Sequence, residues 1–117
     1  METYNDGVLQ LYEDQESRTD FGAKKNDEKL VWICKLNFTE MSQRQKDLEF
    51  AQQQGFSLSL KVKTPFCRLM KRNRKYKAVI CRELYDVSYF DISKDNLFLY
   101  MEYIREAGHD IVGRNPG

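Results

Sequence analysis

Histidine, which often serves in catalysis and metal binding, and proline and glycine, which break helices and strands, are scarce in this sequence. Its 117 residues include one histidine, two prolines and six glycines, and its 19 basic and 18 acidic residues nearly cancel. No apolar run approaches the roughly 20 residues of a transmembrane helix. The first residues lack the basic and apolar stretches of a signal peptide. We therefore expect a soluble protein that is made in the cytoplasm and has no membrane partner.

Catalytic and metal-binding patterns are equally scarce. Cys34, Cys67 and Cys81 are odd in number and form no C-x-x-C pair, and a zinc site would need all three to converge with His109. Free thiols that pack as small hydrophobic side chains are the simpler interpretation. Phosphate-binding glycine motifs and nucleophile elbows do not occur. The sequence thus predicts no enzyme activity, no metal and no cofactor.

Strand patterns dominate the chain. Residues 56–63 alternate apolar with polar side chains, and five further segments, at 7–13, 30–38, 76–80, 85–92 and 97–104, are rich in strand-forming residues. The separators at 81–83 and 93–96 are short enough for hairpins. Within the fifth strand, Tyr85, Val87 and Tyr89 are expected to share one side.

A single helix is predicted near the middle of the chain. Thr39 or Ser42 is suited to begin it, Met41, Leu48 and Ala51 mark a thin apolar side, and Gly55 is placed to end it. Such a helix is expected on the surface of a sheet or against a partner.

Together these elements predict one domain over residues 1–117. Its expected fold is mainly β: a small antiparallel β-barrel or sandwich of about six strands. The single helix is inserted in the middle of this fold. A polar stretch at residues 14–28 predicts a long N-terminal loop, and residues 107–117 predict a flexible C-terminal tail.

A basic segment is the most conspicuous functional candidate. Residues 61–77 contain eight positive side chains and no acid. With Phe66 and Tyr76 nearby, such a segment suits contact with a nucleic-acid backbone. The alternative is a solvated turn or a surface that meets an acidic neighbouring subunit. The residues singled out are Arg68, Lys71, Arg72, Arg74, Lys75 and Lys77.

Aromatic residues crowd the last two predicted strands. Six rings exceed what one face of a small sheet needs, so part of them belong to the core and the remainder suit an interface with another subunit. These residues are Tyr85, Tyr89, Phe90, Phe98, Tyr100 and Tyr103.

The order of these pieces resembles the head–tail adaptor, or head-closure, proteins of long-tailed bacteriophages. The resemblance covers residues 7–106. It rests on the polar loop with Asp20, Phe21 and Gly22, the strand around Val31 and Trp32, a Gln-rich helix before an alternating strand, and the closing strands at 75–80, 84–91 and 97–102. The basic segment is richer in positive charge than is expected for that family.

The resemblance implies a small β-barrel that is not an enzyme and assembles into a ring, usually twelve-fold, in the virion neck. The ring lies between portal and tail proteins, retains the packaged DNA and docks the tail. Ring contacts are then expected from the loop with Asp20 and Phe21, from Met41 and Leu48 of the helix, and from Tyr100. The alternative function is that of a small β-barrel that binds single-stranded nucleic acid.

Overall fold

Antiparallel strands form a sheet that closes on itself in this computed structural model, which describes residues 5–14 and 30–108. The described residues form six strands and one helix, and the strands follow the cyclic order β1-β2-β3-β6-β5-β4. The predicted fold class is confirmed. The elements are β1 (Gly7–Asp14), β2 (Leu30–Met41), α1 (Gln45–Gln54), β3 (Leu60–Pro65), β4 (Lys75–Ile80), β5 (Glu83–Ser93) and β6 (Asn96–Glu106).

Some sequence predictions concern other parts of the chain. Asp20, Phe21 and His109 lie outside the described residues, as do most of the expected N-terminal loop and C-terminal tail. What was predicted for them stays a prediction.

Pairing of β1 with β4 closes the barrel. β1 pairs along its length with β2, from Gly7 opposite Phe38 to Asp14 opposite Leu30. Its other edge pairs with β4, from Gln10 opposite Val79 to Asp14 opposite Lys75. Closure leaves the main core inside the ring of strands, where six leucine, valine and methionine side chains are fully buried: Leu9, Leu11, Val62, Leu97, Leu99 and Met101. Leu84 is equally buried, in a second and smaller cluster with Tyr12, Leu30 and Val79.

Both predicted hairpins are confirmed. Ile80 pairs with Glu83 across the turn of Cys81 and Arg82, whose φ angles are 50° and 67°. Two successive residues with positive φ are the mark of the turn type that follows the right-handed twist of paired strands. The second turn joins Ser93 to Asn96.

The side of β5 that was predicted for Tyr89 is wrong, because the pairing register shifts before this residue. Val87 lies in the core and Tyr85 packs against it, as expected of residues that share a side. The pairing with β6 then skips Ser88, because Val87 is opposite Met101 and Tyr89 is opposite Tyr100. This β-bulge turns Tyr89 to the outside, where 40% of the residue is exposed.

Helix α1 begins later than the sequence predicts. β2 continues to Met41, and the residue before the helix is Arg44 rather than Thr39 or Ser42. The Asp47 carboxylate accepts a hydrogen bond of 2.9 Å from the Arg44 N–H and so satisfies a backbone donor at the helix start. At the other end Gly55 has a φ of 86°, which confirms its predicted role as the left-handed terminator.

The helix packs on the outer surface of the barrel through an aromatic cluster. The Phe50 ring lies 4.8 Å from that of Tyr89 and 6.0 Å from that of Tyr100, measured between centroids. Lys61 of β3 binds the Asp47 carboxylate at 3.1 Å. The predicted apolar side is therefore wrong in part, because Leu48 is 42% exposed and Phe50 makes the main contact.

Phe50→Ala is expected to lower the free energy of unfolding by about 2 kcal/mol, since it removes a half-buried ring and its edge-to-face contacts. Leu48→Ala, two residues earlier on the exposed side, is the matched control and is expected to change stability by less than about 0.5 kcal/mol. Urea denaturation of the three proteins measures both changes. Equal losses would contradict the packing described for the helix.

Asp47 gives the helix a pH-dependent contribution to stability. Burial alone raises the pKa of its carboxyl group, but the Arg44 N–H and the Lys61 ammonium outweigh burial and hold the pKa below its ordinary value of 3.8. The carboxylate therefore stabilises the fold above pH 3.8, and this contribution is lost as the pH falls through the lowered pKa.

Asp47→Asn is expected to cost about 1 kcal/mol at pH 7, because it removes the charged partner of Lys61 and weakens the hydrogen bond at the helix start, and progressively less below pH 4. Thermal unfolding of both proteins between pH 2.5 and pH 7 measures the difference. For Glu49→Gln, on the exposed side of the same helix, the difference in stability from the parent protein should not shrink in this way at low pH. If the difference between Asp47→Asn and the parent protein stays constant down to pH 2.5, the ionised Asp47 carboxylate does not stabilise the fold as described.

Candidate functional site: the loop between β3 and β4

Residues 66–74, here called the β3–β4 loop, are anchored to the barrel. Cys67 and Met70 are buried in the core, and the Cys67 sulfur lies 3.4 Å from that of Cys34 on β2. The Phe66 N–H donates a hydrogen bond of 2.9 Å to the Asp95 carbonyl in the β5–β6 turn. These contacts fix the first half of the loop against the end of the barrel.

Tyr76 fixes the second half. Its hydroxyl accepts a hydrogen bond of 2.7 Å from the Lys71 N–H, and its ring packs edge-on against Phe90 in the core. Burial raises the pKa of the Tyr76 phenol, with the Lys71 hydrogen bond acting against it. Tyr76 was expected near a nucleic-acid strand, but only 2% of it is exposed, so its ring supports the loop from within.

Side chains between these anchors face solvent. Leu69 is 55% exposed and Phe66 is 45% exposed, the two largest values among the large hydrophobic residues described. Exposed positive side chains flank them at Arg68, Lys71 and Arg72. The loop thus presents an apolar pair surrounded by positive charge on a fixed backbone.

The six positive residues singled out from the sequence divide into two groups. Arg68, Lys71, Arg72 and Lys75 are exposed. Arg74 instead binds the Glu13 carboxylate of β1 at 2.8 Å. Because Glu13 is 61 residues away along the chain, the basic segment alone gave no sign of this pair.

Lys77 belongs to the paired group. Its ammonium lies 3.3 Å from Asp14 of β1 and 3.4 Å from Asp86 of β5, and 12% of its side chain is exposed. Burial lowers the pKa of this ammonium, but attraction by Asp86 and Asp14 outweighs burial and raises the pKa above its ordinary value of 10.5. Lys77 therefore joins β4 to β1 and β5 through ion pairs, and it is not one of the exposed cations.

The residues predicted to contact other subunits lie elsewhere. Met41 is half-buried at the end of β2, and Leu48 is exposed on α1. Tyr100 is half-buried beneath α1, with the Lys61 ammonium 5.1 Å from its ring centre. Leu69 was not singled out from the sequence, although a large apolar residue inside a segment with so many positive charges is a sign of an exposed apolar contact.

Comparison with known proteins adds no family to this description, because no protein-family model and no curated protein matches the chain. Among the described residues, no helix is long and apolar enough to cross a membrane. The arrangement around the loop suits non-covalent docking of a macromolecule.

Thiol reactivity tests the anchoring of the loop. Cys81 is exposed in a turn, whereas Cys67 is buried. Burial, followed by the hydrogen bond with Cys67, raises the pKa of the Cys34 thiol to about 12. Because the thiolate is the reactive form, we expect an aromatic disulfide reagent at pH 8 to modify one thiol per chain rapidly, and the other two only in denaturant.

Cys81→Ser is the control and should abolish the rapid phase. Fast reaction of two or three thiols in the native protein would contradict the buried placement of Cys67 against Cys34.

Proposed function

We propose that this protein is a structural component of a tailed-bacteriophage virion, a head–tail adaptor or head-closure protein. Its copies form a ring between portal and tail, which retains the packaged DNA and docks the tail. The proposal rests on the sequence resemblance and is supported by the fold. A small β-barrel is what that resemblance implies, and the strands of this chain close into one.

The β3–β4 loop is the observation that carries the proposal. A ring of identical subunits is built from contacts between two different surfaces of each copy, and such contacts need exposed apolar area with defined geometry. Phe66 and Leu69 provide exposed apolar area, and the buried Cys67 and Met70 hold it in place. The loop therefore has the properties of a binding surface that is already ordered in the free subunit.

Binding of single-stranded nucleic acid is the second candidate function. The exposed Phe66 ring, with Arg68 and Arg72 close to it in the chain, is the observation that favours it, because such proteins combine positive charge with aromatic stacking. The most exposed apolar residue, however, is Leu69, which offers no ring for stacking. The composition of the loop therefore favours a protein partner.

The first test is the location of the protein in purified virions. We expect an immunoblot to detect it in intact particles at about a dozen copies, and antibody labelling in the electron microscope to mark the neck. The copy number follows from the ring that the resemblance implies. Isolated tails and empty head precursors, blotted in parallel, serve as controls for general contamination.

Absence from the particle would overturn the proposal. Binding of single-stranded DNA by the purified protein would then support the second candidate, provided that Arg68→Ala and Arg72→Ala each reduce the salt dependence of the affinity. Lys46→Ala, at an exposed lysine of α1 outside the loop, is the matched variant that should leave this salt dependence unchanged.

A further inference from the structure

A groove of about 730 Å³ crosses the outer surface of the barrel next to the C-terminal end of α1. Its lining includes Phe56, which follows the helix, and Tyr103 and Ile104 of β6. Tyr103 is 44% exposed and Ile104 is 39% exposed. Ile104 is also the residue that the β5–β6 pairing skips, because Leu84 is opposite Arg105 and Tyr85 is opposite Tyr103.

Charged groups lie in the same groove. Asp14, Asp86 and Glu102 contribute carboxylates, and Lys75 and Lys77 contribute ammonium groups. Lys77 is already bound to Asp14 and Asp86. The groove thus combines exposed apolar side chains with a small excess of negative charge.

The β3–β4 loop has the complementary character. It presents two exposed apolar side chains, Phe66 and Leu69, among exposed positive ones. Phe66 is anchored at the β5–β6 turn beside Asn96, which is seven positions before Tyr103 on β6. At about 3.4 Å per strand residue, Phe66 is roughly 24 Å along the strand from this part of the groove.

We propose that the β3–β4 loop of one copy inserts Phe66 and Leu69 into the groove of a second copy, beside Tyr103 and Ile104. This inference deepens the proposed function and depends on it for the ring, because it names the two surfaces through which neighbouring subunits bind. Since loop and groove are different patches of one chain, the contact is head-to-tail and repeats from copy to copy.

Complementarity of the two surfaces favours a second copy as the occupant. The groove, of about 730 Å³, has room for a few side chains. The loop offers two exposed apolar side chains among positive charges, and the groove offers Phe56, Tyr103 and Ile104 in a mostly polar lining with excess carboxylate, so that the two match in charge and in apolar contacts.

Variants that disable one surface at a time test the inference. Parent protein is expected to form oligomers in sedimentation experiments at concentrations up to about 1 mM, which detect even millimolar affinities. Leu69→Asp places a carboxylate on the loop, and Ile104→Asp places one in the groove. Each is expected to weaken self-association at least about thirtyfold, as for a central interface residue.

Mixing the two variants gives the decisive result. The Leu69→Asp protein retains an intact groove, and the Ile104→Asp protein retains an intact loop. An equimolar mixture is therefore expected to form one-to-one dimers that do not grow further, whereas each variant alone stays monomeric. A contact between two identical surfaces would not produce this complementation.

Val8→Asp is the matched control, because it places a carboxylate at an exposed apolar residue of β1 outside both surfaces. It should assemble like the parent protein. Circular dichroism and urea denaturation verify that each variant is folded. If Ile104→Asp does not fold, Tyr103→Ser replaces it as the groove variant and is expected to weaken association about tenfold.

The inference is overturned if the parent protein is monomeric at about 1 mM, or if the groove variant assembles normally, as it would with the groove occupied by another segment of its own chain. It is also overturned if the mixture forms no dimer. None of these results bears on whether the protein is located in the virion neck, so failure here is distinct from failure of the proposed function.

Discussion

Pairing between β1 and β4 is the constraint on which the rest of this structure depends. It converts an open sheet into a closed one and so removes the two edges that an open sheet would leave unpaired. It also brings two acidic residues of β1, Glu13 and Asp14, to the start of β4. There they bind Arg74 and Lys77, so that closure decides which of the clustered positive charges are neutralised internally.

The conformation of the β3–β4 loop depends on this pairing of β1 with β4. Its end is held by Arg74 and Tyr76, and its middle is held by two residues that complete the core, Cys67 and Met70. The same short segment therefore contributes to the core with one set of side chains and leaves another set exposed. A mutation at Cys67 is expected to disturb the core, whereas one at Leu69 changes only the exposed surface.

Local features of the sequence predicted much of the fold. Gly55 and the two short hairpin turns were identified correctly, because each depends on residues adjacent in the chain. β3 was expected from residue 56 but begins at Leu60, since Phe56 packs against Phe50. The backbone of Ser59 donates to Met101, and its hydroxyl accepts from the Tyr103 N–H.

The candidate site was predicted only in part, because its ion pairs join segments that are distant in the chain. The positive charges of the basic segment are visible in the sequence, but the carboxylates that pair with two of them come from β1 and β5. Phe50 and Tyr89 were not recognised as packing partners, because a bulge in β5 changes the side to which Tyr89 points. Contacts between distant segments and single-residue register shifts leave no periodic pattern to detect.

Closure through β1 also has a consequence for the time course of folding. β1 leaves the ribosome before its partner β4, which ends at Ile80, about 65 residues later. At synthesis rates of about 5–20 residues per second, one edge of β1 waits roughly 3–13 s for a partner. Pairing over such a sequence separation is slow in its own right, because loop entropy is lost before the contact forms. During that interval the nascent chain exposes an unpaired strand beside identical chains on neighbouring ribosomes, and the emergence of β4 determines when that exposure ends.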